Sequence, residues 1–114
     1  MKAVISGYGS IGKRHVKNLL AISNYDINIY TEQKNPKSYN KKKCFFFNTL
    51  QDCFLGEPTI GFVTNVSRSH VDTALELANV GCHLFIEKPL SNSLQNVEKL
   101  SRIIKKNSTK TIRV

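Results

Sequence analysis

The chain has 114 residues, 40% hydrophobic and 22% charged, the composition of one globular domain large enough to enclose a single core. No apolar run reaches the ~20 residues of a membrane span, and the glycines that follow Lys2 break the pattern of a signal peptide. The formal charge is +9, from 17 basic and 8 acidic residues, but only four of the basic residues are arginine. Apart from Lys41-Lys42-Lys43 and Lys105-Lys106 the lysines are dispersed, which describes a solvated surface that draws anionic ligands and not a nucleic-acid interface.

In chain order, Lys2–Ser6 is a short β-type run. Ile11–Ile22 follows it with Val16, Leu19 and Leu20 at helical spacing. Ile27–Thr31 is the next predicted strand. Residues 33–43 are polar, and Asn35-Pro36 marks them as a loop. Cys44–Phe47 predicts an aromatic strand. Asn48 with Gln51 three residues on resembles a capping pair for a short helix through Phe54 that stops at Gly56.

Thr59–Thr64 reads as a buried strand. Val71, Ala74, Leu75 and Ala78 then recur at the spacing of a helix that Ser69 and Asp72 suit at its start and Gly81 at its end. His83–Glu87 is a further strand, and Pro89 and Ser91 lead into a long helix carrying Leu94, Val97, Leu100, Ile103 and Ile104. Thr109–Val114 closes the series as a last strand. Regular alternation of strand and helix predicts an α/β fold: a doubly wound parallel sheet with helices on both faces. The strands are nearly continuous apolar runs, as burial on both faces requires.

Cys44, Cys53 and Cys82 have neither zinc-type nor Cys-x-x-Cys spacing, so they predict buried reduced thiols, no metal site and a cytoplasmic location.

Gly7-Tyr8-Gly9-Ser10-Ile11-Gly12 falls between the first strand and the first helix. In that context the pattern G-x-G-x-x-G predicts a dinucleotide site. Gly7 permits a tight turn, Gly9 lets a pyrophosphate approach the backbone, and Gly12 lets the helix pack closely on the sheet. The free N–H groups of the helix start face the phosphates. Glu32 lies after the second strand, 20 residues beyond Gly12. Its carboxylate is placed to accept hydrogen bonds from the adenosine ribose and to repel a 2′-phosphate. That favours NAD, with NADP as the alternative because Lys34 is close by.

With "FIEKPLS" at the end of the fifth strand the pattern becomes specific. The chain resembles the N-terminal, Rossmann-like NAD(P)-binding domain of the glucose–fructose oxidoreductase / inositol dehydrogenase / rhizopine-catabolism (Gfo/Idh/MocA) family. The likeness runs over essentially all of residues 1–114 and is carried by "GYGSIGKRH", "TNVSRSH", "GCHLFIEKP" and "KTIRV". It implies that Lys88 is catalytic, lying near nicotinamide and substrate where its cation stabilises a developing alkoxide. It also implies that Glu87, Thr64, Asn65 and His70 line the cofactor, and that Pro89 fixes the turn. His15 is expected to pack or to hydrogen-bond to neighbouring loops. Val66 departs from the resemblance, because the family has proline there.

Members of the family carry a second, α+β domain that holds the substrate, a sugar, sugar nucleotide or polyol. Residues 1–114 are accordingly expected to be the cofactor domain alone, without turnover of their own. Apolar surface left uncovered by that domain would favour a homo-oligomer. The competing readings are a stand-alone NAD(P)-binding regulatory or sensing module and, less supported, a nucleic-acid binder. No membrane partner is expected.

Overall fold

The strand that organises the sheet is β1 (Lys2–Ser6), which is apolar on both sides. The computed structural model describes residues 1–65, 70–87, 98, 101–102 and 112–113. In it β1 lies between β2 (Asp26–Tyr30) and β4 (Ile60–Val63). Beyond β2 stands β3 (Cys44–Phe47), and beyond β4 stand β5 (His83–Ile86) and β6 (Ile112–Arg113). The order is β3-β2-β1-β4-β5-β6 and every pairing is parallel. The chain therefore winds outward from β1 in one direction, returns to β4, and winds outward in the other. Helix α1 (Ser10–Ile22) joins β1 to β2, and α2 (His70–Asn79) joins β4 to β5.

The core has two halves, one on each face of the sheet. Alternate residues of β1 feed them: Ala3 and Ile5 join Val16, Leu19, Ile27, Ile29 and Phe62 under α1, while Val4 joins Val63, Leu77, Leu84 and Ile86 under α2. Each fully buried side chain of this size contributes about 1.5–3 kcal/mol over its exposed state. The stripe of α2 is Ala74, Leu77 and Ala78, with Leu75 at its half-buried margin. Gly81, at φ 90°, closes α2. Its N–H reaches the Ala78 carbonyl at 3.0 Å and the Cys82 N–H reaches Leu77 at 3.1 Å, a glycine cap of the expected kind.

Two connections lack α-helix. Residues 31–43 between β2 and β3 are irregular, as their polar composition predicts. The β3–β4 link contains one 3₁₀ turn, Gln51–Phe54. Its start is held by Thr49, whose Oγ1 accepts the Asp52 N–H at 3.3 Å, one residue later than the Asn48–Gln51 spacing predicts. Gly56, at φ 83°, turns the chain just beyond it. The predicted long helix after Ser91 is represented by Glu98, Ser101 and Arg102, which are helical. Val66, Ser69 and Pro89 lie outside the described residues.

Asn28 is a buried polar residue in the middle of β2, only 1% exposed. Its amide donates to the carbonyls of Cys53 (2.9 Å) and Leu55 (3.3 Å), pinning the 3₁₀ turn to the sheet. Cys44, Cys53 and Cys82 are buried thiols. The Cys82 thiol donates to the Pro58 carbonyl at 3.4 Å. Burial, and then the charge of Asp52, pushes the Cys53 thiol up to about 12. Among the described residues no helix is long and apolar enough to cross a membrane.

Replacing Asn28 with Leu keeps the volume but strands the buried Cys53 carbonyl and removes the bond to Leu55. Urea unfolding is expected to show a loss of about 2–3 kcal/mol.

Candidate functional site

Reversal of winding between β1 and β4 opens a crevice at the carboxyl ends of these strands, where sheets of this kind hold ligands. The glycine loop leaves β1 on one side of it and Thr64 and Asn65 leave β4 on the other. The walls are tied together at the base. Gly7 N–H donates to the Tyr30 carbonyl at 3.0 Å and Thr64 N–H to the Ser6 carbonyl at 2.9 Å. The Thr64 hydroxyl lies 3.1 Å from the Ser6 carbonyl and 2.9 Å from that of Gly7.

The three glycines have different reasons. Gly7 has φ +103°, and a Cβ there would lie 2.7 Å from the backbone of Asn65. At Gly12 a Cβ would lie 2.0 Å from the Gly7 carbonyl oxygen, so α1 touches the end of β1 only because that position is bare. Gly9 is otherwise: its φ of −80° suits any residue, and a Cβ would meet nothing within 4 Å. The fold requires Gly7 and Gly12. It does not require Gly9.

Gly9 is also the N-cap of α1, with no side-chain cap, and no acidic residue occupies the first turn. The first intrahelical bond is from Lys13 N–H to the Gly9 carbonyl at 2.9 Å. Helix geometry therefore leaves the N–H groups of Ser10, Ile11 and Gly12 without intrahelical acceptors, at the positive end of the helix dipole. A phosphate group fits this arrangement in charge and in room. The Lys13 ammonium lies close by, 5.4 Å from the centre of the Tyr8 ring.

Tyr8 itself points inward. The residue is 2% exposed and its ring packs edge-on against Phe46 at 5.2 Å, so the side chain belongs to the core and not to the crevice. Its phenol donates to the Lys37 carbonyl. Burial, then the neighbouring Tyr39 and Cys44, pushes that phenol from 10.0 up to about 12. Gln33 donates its side-chain amide to the Tyr8 carbonyl at 2.7 Å, and its own N–H goes to Thr31 Oγ1 at 3.1 Å. Glu32 is exposed at the mouth of the crevice. The Tyr30 phenol is raised by burial, by the charge of Glu32 and by a hydrogen bond to that carboxylate, which it donates as the neutral group.

On the far side, Asn65 donates to Thr73 Oγ1 at 3.0 Å, joining the β4 end to α2. His70 opens α2. His15 and Glu87 meet at 3.3 Å, and the imidazole packs on Phe62 and Phe85 with ring centres 5.0 Å away from each. His15 is thus the packing and hydrogen-bonding residue expected, and its partner is the first residue after β5. Lys88 lies outside the described residues.

The structure brings the glycine loop, Glu32, Thr64 and Asn65 to the crevice, and Glu87 to its β5 end. It adds Tyr30, Gln33 and Thr73, which pattern reading missed. Flanking positions around Glu32 were the available signal for the first two. A cleft of 390 Å³ lined by Tyr30, Asn48, Thr73 and Glu76 reaches the crevice wall at Asn65, and a cleft of 370 Å³ beside Gln33 is lined by Thr31, Phe46 and Asn48.

Sheet order, glycine loop and uncapped helix start define a dinucleotide-binding α/β domain. Residues 1–114 match the family model described as "Oxidoreductase family, NAD-binding Rossmann fold" (GFO_IDH_MocA), and the chain belongs to that family. Among solved structures, myo-inositol 2-dehydrogenase from Lactobacillus plantarum superposes with a TM-score of 0.84 at 19% identity, covering 99% of this chain and 35% of its own. Apo scyllo-inositol dehydrogenase from Lactobacillus casei gives 0.82 at 20%, covering 99% and 35%. An NAD-binding protein from Listeria innocua gives 0.79 at 19%, covering 97% and 32%. These likenesses are of fold, and the chain spans about a third of the length of each. No curated protein sequence matches it.

Two outcomes test the site's construction. Gly12→Ala is expected to destabilise the domain by about 3 kcal/mol in urea unfolding, from forced overpacking, while Gly9→Ala stays within about 0.5 kcal/mol of the parent. The Tyr8 phenol is more acidic in the unfolded chain, so the stability it carries is whole below its ordinary pKa of 10.0 and is lost as pH climbs towards about 12. Tyrosine absorbance titration should show a late component that Tyr8→Phe removes.

Proposed function

We propose that the chain is the cofactor domain of an oxidoreductase acting on a CH–OH group of a sugar, sugar nucleotide or polyol, with NAD(H) preferred over NADP(H). One observation carries the ligand reading: Gly9 has open space where its neighbours Gly7 and Gly12 have backbone. A glycine that the fold does not need is explained by a ligand that must come close to it.

The bound nicotinamide supplies hydride transfer. The loop from Gly7 to Gly12, including the backbones of Tyr8, Ser10 and Ile11, holds the pyrophosphate, and Glu32 accepts the adenosine ribose hydroxyls and disfavours a 2′-phosphate. Thr64, Asn65, His70 and Glu87 border the cofactor. Lys88, one residue beyond Glu87, polarises the reacting oxygen. Placing a substrate carbon against the nicotinamide supplies a large share of the rate, and it calls for a substrate-binding domain beyond these residues. The chain's coverage of only a third of the dehydrogenases it resembles supports that division, and the inositol dehydrogenases among them support a polyol-like substrate. Three buried thiols suit a reducing compartment, the cytoplasm.

Parallel calorimetric titrations with NADH and NADPH test the reading. NADH is expected to bind more tightly, Glu32→Ser to narrow the gap, and Gly9→Val to abolish binding without unfolding. Tighter binding of NADPH by the parent would overturn the preference, and unimpaired binding by Gly9→Val would overturn the site. Sugars and polyols should not be turned over by residues 1–114 alone at saturating cofactor.

A further inference from the structure

Gly9 creates a problem along with the room it provides. Rotating the Tyr8–Gly9 peptide plane exchanges its N–H for its C=O, and the motion changes ψ of residue 8 and φ of residue 9. Glycine accepts either sign of φ at little cost, so the residue that admits a phosphate also frees the peptide before it to flip. A flipped peptide would present a carbonyl oxygen, not a donor, to an anion. Something must hold it.

The β2–β3 connection grips Tyr8 at two atoms. Gln33 Nε2 donates to the Tyr8 carbonyl at 2.7 Å. The Tyr8 phenol, at the other end of the residue, donates to the Lys37 carbonyl. Gln33 is itself anchored through its N–H on Thr31 Oγ1 at 3.1 Å, at the buried end of β2. The acceptor at Tyr8 is a carbonyl, so the contacting group of Gln33 must be its NH₂. In a planar trans peptide C=O and N–H point opposite ways. With the carbonyl directed at Gln33, the Gly9 N–H is directed away from the 33–37 segment, and among the described residues no backbone acceptor takes it.

We propose that Gln33 is a positioning residue for the dinucleotide phosphates: by holding the Tyr8 carbonyl it keeps the Gly9 N–H turned towards the pyrophosphate. The proposal rests on the reading of the glycine loop as the phosphate site. Gln33 directly follows Glu32, so one short loop serves both the ribose and, through Tyr8, the phosphates.

The test separates phosphate from nucleoside. Adenosine, ADP and NADH are titrated into the protein and into Gln33→Ala and Gln33→Met, the latter keeping length but not the donor. Gln33 is exposed, so both variants should fold, which circular dichroism and thermal unfolding check. The expected result is a loss of about fivefold in ADP and NADH affinity, the size of one hydrogen bond, with adenosine affinity unchanged. In the parent, ADP should move the Gly9 amide resonance strongly, and in both variants that shift should shrink. Parallel loss of adenosine and ADP affinity would overturn the proposal by making Gln33 part of the nucleoside wall, and unaltered ADP affinity would overturn it directly. Failure of the parent to bind either ADP or NADH would instead overturn the reading of the loop.

Discussion

The site depends on one close approach, that of the first turn of α1 to the end of β1. Gly12 stands against the Gly7 carbonyl with no space for a single methyl group. This contact sets the helix at the height where its uncapped N–H groups open onto the crevice between β1 and β4. Thr64 reinforces it from the opposite wall by hydrogen-bonding the carbonyls of Ser6, the last residue of β1, and Gly7. Were the helix held further out, its dipole and its free donors would face solvent and not the crevice.

Around that contact the molecule is joined laterally by side chains that bridge elements. Asn28 ties β2 to the 3₁₀ turn, Gln33 and Tyr8 tie the β2–β3 connection to the glycine loop, and His15 ties α1 to the end of β5. The last bridge joins the first helix to the residue that directly follows β5. Its imidazole packs on both Phe62 and Phe85, whose ring centres lie 5.6 Å apart at a tilt of 33°. Aromatic packing fixes the ring, and the ring in turn fixes the carboxylate of Glu87.

Charge is distributed to the same end. Among the described residues the ion pairs are Lys43–Asp26 and the His15–Glu87 contact, so most of the basic excess is not neutralised locally. Lys13 lies over Tyr8 of the glycine loop, and Lys17 and Lys37 lie over Tyr39 of the β2–β3 connection. Such a field favours anionic ligands and their approach more than it stabilises the fold.

By itself the sequence determined the α/β class, the strands, and the place of the glycine loop. These depend on local rules: runs of apolar residues, helical spacing, and glycine at fixed offsets around one strand-to-helix turn. The length of β1 and the position of Gly81 as a helix cap were legible for that reason. Tertiary structure alone decided which glycines the fold requires, because that depends on what lies across the crevice, Asn65 and Thr64, more than 50 residues away in the chain. It likewise decided that Leu77 and not Leu75 fills the centre of the α2 face, since α2 seats its stripe against β4 and β5. It turned the Tyr8 ring into the core and gave Gln33, an unremarked polar residue in a loop, its hold on Tyr8. Spacing along a chain encodes local geometry, whereas a hydrogen bond between distant segments exists only once packing has brought its donor and acceptor together.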